Sequence, residues 1–471
     1  MKRQDLNSPL LYRRILKRLS PAQVISLSFF GIILLGGVLL SLPISHAENI
    51  DVKVIDAFFT TVSAVCVTGL VTVVTATTWS FFGKVVILML IQIGGLTLIT
   101  IFTFFMVNIG KKISLKSRLA IQAAFNNNSL GGMVKMVKFV IKGTLLCELV
   151  GAVILFFSFL SEGVIWYKAI VYGIFHSVSA FCNAGFDIIG EKSLMPFVGN
   201  YSINIVIMAL IIVGGIGFTV WEDVINKVKF RLSRNIKQKS RLSLHTKLAL
   251  IMTGALLLSG MLFFLIEEFN NPKTIGTLSF PHKILASLFQ SVTLRTAGFA
   301  TIDQYGLTDA SKLLSSIFMM IGGSPGGTAG GIKTVTLAII LCSVWAIVKG
   351  CSKIVVFERK ISVITLQKSL AIVVLMILLL LGGTAILSIT EEHSAFSHSF
   401  ADIIFEVSSA LGTVGLSTGI TPFLTIIGKL VLMLCMFIGR TGPITLLISL
   451  ANNLQVGEDI IGYPDEDVMI G

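Results

Sequence analysis

Long apolar runs alternate with short polar segments along the whole chain. A bilayer-crossing helix needs about 20 apolar residues. Runs of that length predict eight transmembrane spans, at 22–45, 83–109, 138–160, 199–220, 247–266, 311–348, 365–390 and 424–450. Between the two members of each successive pair lies a segment too short or too polar to cross. The pattern predicts an all-α membrane protein.

The four intervening segments repeat one another. They read FTTVSAVCVTGL (59–70), FHSVSAFCNAGF (175–186), FQSVTLRTAGF (289–299) and FEVSSALGTVGL (405–416). Each begins with Phe and ends on a glycine followed by a large apolar residue. These glycines, Gly69, Gly185, Gly298 and Gly415, are 116, 113 and 117 residues apart. Self-similarity at a fixed period marks a repeat architecture, so four fused helix–pore loop–helix repeats around one central, potassium-channel-like pore are predicted.

The repeats also define the organisation of the chain. It comprises an N-terminal segment at 1–21, repeats at 22–110, 137–222, 247–349 and 365–452, linkers at 111–136, 223–246 and 350–364, and an acidic tail at 453–471. The third repeat is expected to have a broken second helix.

Composition and charge support a membrane protein and indicate its orientation. Hydrophobic residues make up 54% of the chain and charged residues 13%, against about 25% charged in soluble domains. Of the 37 Lys and Arg residues, 26 lie in 1–20, 111–142, 221–247 and 349–368. By the positive-inside rule these segments are cytoplasmic, and the even number of spans places both termini there. The basic blocks therefore indicate plasma-membrane topology and lipid headgroup contact rather than nucleic-acid binding.

The repeated segments are candidates for a selectivity filter. A re-entrant segment must satisfy its backbone within protein or a water-filled cavity, so four of them imply a shared aqueous axis lined by carbonyl groups that replace a cation's hydration shell. The predicted filter residues are Val67, Thr68, Gly69, Asn183, Ala184, Gly185, Thr296, Ala297, Gly298, Thr413, Val414 and Gly415. No carboxylate flanks the glycines, which favours a monovalent cation bound by backbone oxygens. The alternative is that the glycines only allow close helix packing.

The second spans contain further glycines, at Gly94-Gly95, Gly214-Gly215, Gly322-Gly323 and Gly439. In the third repeat they extend to GGSPGGTAGGIKT (322–334), which cannot form a continuous helix. At the same distance in the fourth repeat lies an intramembrane charge, which should face a cavity or a partner. The predicted gate comprises Gly322, Gly323, Gly326, Gly327, Thr328, Gly330, Gly331 and Arg440. The alternative is a glycine kink beside a structural arginine that caps carbonyl groups.

Enzyme motifs are weak in this sequence. Residues 322–326 fit G-x-S-x-G, but without the strand-to-helix turn and nearby His that hydrolases need. Lys333 does not directly follow a glycine, as a P-loop requires. The six scattered cysteines have no C-x-x-C spacing and predict reduced thiols. Glu148, in the third span, is an intramembrane ionisable group expected to pair with a polar neighbour.

The repeated motifs SAVCVTGL, SAFCNAGF, TLRTAGF and SALGTVGL, the glycine-rich interruption at 322–331 and Arg440 together resemble the Trk/Ktr/HKT superfamily of cation transporters. The chain is most similar to the KtrB-like potassium-uptake subunits. The resemblance implies K⁺ uptake, often stimulated by Na⁺ and without a covalent cofactor, by a homodimer with one pore per protomer. It also implies a cytoplasmic ring of nucleotide-binding KtrA-like subunits. The alternatives are a sodium-coupled secondary transporter with broken helices and a membrane receptor or assembly protein.

Overall fold

The computed structural model describes residues 20–109, 133–232, 242–351, 353–392 and 399–450. The predicted N-terminal segment and the acidic tail lie almost entirely outside these residues, as does most of the linker at 111–136.

Helices account for nearly all of the regular structure in the described residues. In chain order they are α1 (Pro21–Leu40), α2 (Val54–Val65), α3 (Thr75–Thr78), α4 (Phe81–Leu96), α5 (Leu98–Asn108), α6 (Met133–Ser161), α7 (Trp166–Cys182), α8 (Tyr201–Gly215), α9 (Phe218–Leu232), α10 (Leu244–Glu267), α11 (Phe280–Thr293), α12 (Asp309–Met320), α13 (Thr334–Val348), α14 (Val363–Thr390), α15 (Phe400–Gly412), α16 (Ile426–Thr441) and α17 (Pro443–Leu450). Short 3₁₀ helices lie at Pro43–Ser45, Met195–Phe197 and Thr421–Phe423. A two-stranded hairpin of β1 (Val355–Val356) and β2 (Arg359–Lys360) occupies the predicted linker at 350–364.

Each repeat begins with one long apolar helix. Among the described residues, α1, α6, α10 and α14 are long and apolar enough to cross a bilayer, and the bent pair α8 and α9 adds a fifth crossing if it counts as one span. Serine side chains fix where three of these helices begin, because Ser20, Ser243 and Ser362 each accept a hydrogen bond from a backbone N–H of the first turn. These four helices coincide with the predicted first span of each repeat.

A short buried helix follows each long one. These four short helices are α2, α7, α11 and α15, and they are here called the pore helices after the predicted helix–pore loop–helix repeats. The Phe that begins each repeated motif is buried in all four. Each helix starts several residues before that Phe and ends just before the motif's last residues. Each repeated segment is therefore a helix followed by a short non-helical stretch, here called its ring strand, that contains the motif glycine.

The second span is broken in all four repeats, whereas the sequence predicted a break in the third alone. The breaks separate α4 from α5, α8 from α9, α12 from α13, and α16 from α17, and α9 is bent by 98° from α8. The prediction of continuous spans at 83–109, 199–220 and 424–450 was wrong.

The backbone shows why these helices stop. Gly217 and Gly442 lie between the two halves of their spans with φ of 99° and 85°, a conformation that glycine adopts without cost and that cannot continue a right-handed helix. In the first repeat the residue at the break is Thr97, with φ of 66°. Because threonine rarely adopts this conformation, the sequence contained no sign of that break.

Two buried ion pairs join neighbouring repeats at equivalent positions. Lys312 of α12 lies 2.9 Å from Asp402 of the pore helix α15. Lys429 of α16 lies 2.7 Å from Asp56 of the pore helix α2. The first pair joins repeat three to repeat four and the second joins repeat four to repeat one. Buried pairs add little net stability but fix geometry, because each charge needs its partner.

Outside the spans, Glu268 organises the segment that follows α10. Its carboxylate accepts hydrogen bonds from the Thr274 hydroxyl at 2.7 Å and the Thr308 backbone N–H at 3.0 Å. Burial alone raises the pKa of this carboxyl, but the nearby Ser311 hydroxyl and hydrogen bonds from Thr274, Thr308 and Asn271 outweigh it and lower the pKa below its ordinary value. The hydrogen bonds of this segment therefore favour the charged form of Glu268.

Candidate ion pathway

The four motif glycines meet at one place. Each faces the carbonyl oxygen of the residue that precedes the glycine of the next copy: Gly69 faces Ala184, Gly185 faces Ala297, Gly298 faces Val414, and Gly415 faces Thr68. The contacts run from copy one to copy four and back, so the glycines form a closed ring, here called the glycine ring. A Cβ on Gly69 would lie 2.5 Å from the Ala184 oxygen and one on Gly185 2.8 Å from the Ala297 oxygen. No side chain fits at these positions.

The backbone of the ring alternates in conformation. The ring glycines have φ between 68° and 97°. The residue two positions before each ring glycine also has positive φ, between 52° and 65°. These residues are Val67, Asn183, Thr296 and Thr413. The residue between each of them and its ring glycine does not have positive φ. Alternation in the sign of φ turns successive carbonyl groups toward the same side of the chain. This is the geometry by which a backbone presents a column of oxygens to an ion.

Several oxygens around the ring have no hydrogen-bond partner in the part of the chain that the structure describes. In the described residues, no backbone N–H bonds to the carbonyl groups of Thr68, Ala184, Ala297 or Val414. The hydroxyl groups of Thr68, Thr296 and Thr413 are buried there and are also unpaired. Buried polar groups are almost always hydrogen-bonded, because leaving them unpaired is costly. Carbonyl and hydroxyl oxygens are the ligands by which proteins coordinate alkali cations.

A hydroxyl group on each pore helix braces the adjoining strand. Ser63 and Ser409 accept hydrogen bonds from the N–H groups of their ring glycines, both at 3.0 Å. Ser179 and Thr293 instead donate to the carbonyl group of the residue after the ring glycine, both at 2.7 Å. The sequence showed the small and hydroxylated stretch but not this role. In the sequence, the sign of this role is a hydroxyl-bearing residue six positions before each ring glycine, or five positions before it in the shorter third copy.

We expect Ser409→Ala to weaken cation binding at the ring. The variant leaves the N–H of Gly415 unpaired, which costs about 1 kcal/mol and corresponds to roughly fivefold in affinity. Ser408→Ala is the matched control, because the neighbouring Ser408 hydroxyl is buried but has no partner among the described residues. Rb⁺ uptake into vesicles as a function of concentration gives both apparent affinities, and equal values for the two variants would contradict the bracing role.

The glycines of the second spans serve close packing against the pore helices. Gly94, Gly214 and Gly439 lie against the carbonyl groups four residues before their ring glycines, those of Val65, Phe181 and Leu411. Gly214 makes this contact although it lies farther from its ring glycine along the sequence than the other two. A side chain would push the second span away from the pore helix.

The interruption of the third repeat, here called the glycine loop (322–331), lies directly beside the ring strands. Its backbone is held by the break of repeat two, because Ser324 and Thr328 donate N–H bonds to Gly215 and Gly214 at 2.9 and 3.2 Å. Gly330 approaches the Thr413 hydroxyl so closely that a Cβ would not fit, and Gly322 packs near Thr296. The loop therefore contacts the ring at the end formed by Thr296 and Thr413.

Arg440 contacts the glycine loop, as its position in the sequence predicted. Its guanidinium donates hydrogen bonds to the carbonyl groups of Thr328 in the loop and of Gly94 and Gly95 in repeat one. The side chain thus links three repeats at one end of the ring. These contacts agree with either role of Arg440, a charge beside the ion pathway or a structural cap on otherwise free carbonyl groups.

Two further cations that the sequence analysis did not assign to the gate contact the same loop. Lys333 donates to the Ala329 carbonyl at 2.6 Å. Arg295 lies near the Gly322 carbonyl at 3.4 Å and is buried. In the sequence, Lys333 stood out only as part of a segment that resembles a P-loop, and Arg295 lies in the third repeated motif without an assigned role. Together with Arg440 they concentrate positive charge at this end of the ring.

Glu148 has a polar neighbour, as expected. Its carboxylate accepts a hydrogen bond from the Gln92 amide at 3.3 Å, which joins the first span of repeat two to the second span of repeat one. The six cysteines are free thiols.

Comparison with known proteins identifies the family. The TrkH family model, described as a cation transport protein, matches residues 37–457. The chain is 40% identical to the potassium/sodium uptake protein NtpJ of Enterococcus hirae over 98% of this chain and 100% of that one. It is 41% identical to the Ktr system potassium uptake protein B of Bacillus subtilis over 96% and 97% of the two chains.

A solved structure has the same fold. The crystal structure of the potassium transporter TrkH from Vibrio parahaemolyticus matches with a TM-score of 0.70, at 18% identity, over 96% of this chain and 87% of that one. The family match covers most of the chain, including all four ring strands. The chain therefore belongs to the TrkH family of cation transport proteins, and is a transporter rather than an enzyme.

Proposed function

We propose that this protein carries K⁺ into the cell as the membrane subunit of a Ktr-type uptake system. The observation that supports this most is the closed glycine ring. Carbonyl oxygens from its four equivalent strands, and the threonine hydroxyls beside them, have no hydrogen-bond partner among the described residues. The names of the relatives point to the same ion. Membrane potential supplies about 2.3 kcal/mol per charge per 100 mV, which suffices to draw K⁺ inward against a substantial gradient.

The ring is the selectivity filter in this proposal. Its twelve residues, at 67–69, 183–185, 296–298 and 413–415, include no carboxylate. Ions are therefore bound by neutral oxygens that must replace the whole hydration shell, which favours K⁺ over the more strongly hydrated Na⁺. Na⁺ has the role of a competing or stimulating ion.

The glycine loop and Arg440 form the gate. The loop closes one end of the ring, and its glycines allow it to change conformation with little strain. Arg440, with Lys333 and Arg295 nearby, places positive charge where a cation must pass.

The proposed assembly is a homodimer in the plasma membrane, in contact with lipid, with both termini in the cytoplasm. A ring of nucleotide-binding KtrA-like subunits docks on the cytoplasmic face and controls the gate. Support comes from the basic segments and from the relative named as part of a Ktr system. No nucleic acid takes part.

Ion flux through the purified protein tests this function. Liposomes that contain the protein should take up Rb⁺ when K⁺ is the only other cation present. External K⁺ should inhibit this Rb⁺ uptake far more strongly than external Na⁺ does. Uptake that requires Na⁺ would instead support the alternative, a sodium-coupled secondary transporter with broken helices. Liposomes without protein are the control.

Labelling of single cysteines tests the orientation. Asn128→Cys, Ile236→Cys and Lys353→Cys lie in the basic segments and should resist an impermeant thiol reagent applied to intact cells, in a background without the exposed Cys351. Glu191→Cys, on the opposite side in this topology, should react. The reverse pattern would overturn the proposed orientation.

A further inference from the structure

A polar residue follows the first Phe of each repeated motif, and its type differs in every copy. The four residues are Thr60, His176, Gln290 and Glu406, and all four are fully buried in the pore helices. Equivalent positions behind the ring strands therefore carry a hydroxyl, an imidazole, an amide and a carboxyl group. Ionisable groups are costly to bury without partners, so the carboxyl group of the fourth copy needs an explanation.

The Glu406 side chain reaches from its helix to the chain that leaves the ring. One carboxyl oxygen, Oε1, accepts hydrogen bonds from the Ser417 hydroxyl and from the Thr418 N–H at 3.0 Å. The other, Oε2, accepts one from the Thr421 hydroxyl at 2.8 Å. These donors begin two residues after Gly415. A single buried group thus holds the whole segment that follows the fourth ring glycine.

The other copies lack this arrangement. Thr60 donates to the carbonyl group of Asp56 in its own helix at 2.8 Å. The Nδ1 atom of His176 likewise bonds within its helix, to Tyr172 at 2.7 Å. Gln290 pairs with Gln304 through two amide hydrogen bonds of 2.8 and 3.1 Å, a neutral link to the chain beyond its ring glycine. The fourth strand is the one held by a carboxyl group with three donors.

Neighbouring charges do not account for Glu406. The acid one turn earlier on the same helix, Asp402, is paired with Lys312. The ion pairs found within the described residues leave Glu406 without a cation. Its partners are two hydroxyl groups and one backbone N–H, and all of them belong to the segment after the ring. Burying an acid without an ion pair is costly unless hydrogen bonds satisfy it, so Glu406 and its three donors hold one another in place.

We propose that Glu406 is a positioning residue for cation binding, which fixes the backbone after Gly415 and so the direction in which the fourth strand presents its carbonyl oxygens. This inference rests on the proposed filter function of the ring. It assigns the fourth copy a larger share of ion discrimination than the first, where the equivalent side chain does not leave its helix.

Substitutions at Glu406 separate positioning from general stability. Glu406→Leu keeps a similar volume but removes every acceptor, so it should raise the apparent KM for Rb⁺ about tenfold and reduce the preference for K⁺ over Na⁺. Glu406→Gln should stay within about twofold of the wild type, because the amide oxygen can accept two bonds and the amide nitrogen can donate to Thr421. The matched control is Thr60→Val, with an unchanged KM. Maximal flux and thermal stability report any general damage.

The measurements on these variants distinguish a failure of the positioning role from a failure of the proposed function. An inserted Glu406→Leu protein with unchanged KM and ion preference would overturn the inference, as would a Glu406→Gln protein as impaired as Glu406→Leu. If Glu406→Leu does not fold, Thr421→Val decides, with a rise in KM of about threefold expected and no change overturning the inference. A wild-type protein that transports no K⁺ would overturn the proposed function itself, whereas normal wild-type transport with unaffected variants overturns the positioning role alone.

Discussion

Serine in place of Gly415 is expected to reduce K⁺ affinity by well over tenfold and to remove most discrimination against Na⁺. Gly415 has φ of 96°, a conformation unfavourable for any residue with a side chain, and its Cβ would collide with the Thr68 carbonyl. The strand must move, and the oxygens of two neighbouring copies move with it. A tenfold loss corresponds to about 1.4 kcal/mol, less than the strain such a collision should introduce.

The four ring glycines should differ in sensitivity. Gly185 has the most room, with 2.8 Å between a built Cβ and the Ala297 oxygen and a φ of 68° that lies near the ordinary left-handed region. We therefore expect Gly185→Ser to be the mildest of the four serine variants and Gly415→Ser to be among the most severe. Competition between Rb⁺ and Na⁺ in vesicles measures both. Unchanged affinity and competition in all four variants would show that the ring is not the filter.

Removal of the charge at Arg440 is expected to increase K⁺ flux. A guanidinium beside the pathway repels a cation, and the repulsion amounts to several kcal/mol in a site of low dielectric before screening. Arg440→Ala, or shortening of the loop within 326–331, should therefore raise flux several-fold, keep selectivity and weaken control by the cytoplasmic partner. Flux into vesicles with and without that partner is the measurement.

Arg440→Gln separates the barrier from the carbonyl cap. Glutamine lacks the charge but its amide can still donate to a carbonyl group such as that of Thr328. If charge forms the barrier, Arg440→Gln should conduct as well as Arg440→Ala. If both variants insert normally and show lower or unchanged flux, Arg440 is a structural cap on the carbonyl groups of Thr328, Gly94 and Gly95, and the gate lies elsewhere.

The sequence predicted the ring because four copies of one motif recur at a nearly constant period. A glycine that recurs at a fixed place is required by the backbone. The structure shows the reason, which is the close contact between each ring glycine and the next ring strand. The same reasoning placed Arg440 beside the glycine loop, since equal distances from Gly415 and Gly298 imply similar depth. Periodic features of a chain are therefore strong predictors of its symmetric core.

Features without a repeated sequence pattern were not predicted. The break at Thr97 places a threonine at positive φ, which local preference disfavours. Lys333 and Arg295 point toward the loop because of how α13 and α11 pack, and no motif marks this.

The bracing hydroxyls occurred at a constant place in all four copies, yet a small polar residue in a buried helix is ordinary and suggested no role on its own.

The most direct test of the ring is to locate a bound ion. Crystals of the protein grown with Rb⁺ in place of K⁺ should show an anomalous scattering peak on the axis between the carbonyl oxygens of Thr68, Ala184, Ala297 and Val414, and the peak should weaken when K⁺ is added in excess but not when Na⁺ is. A peak at another place, or none on this axis in crystals of protein that transports Rb⁺, would contradict the central claim that four equivalent strands bind the permeating ion.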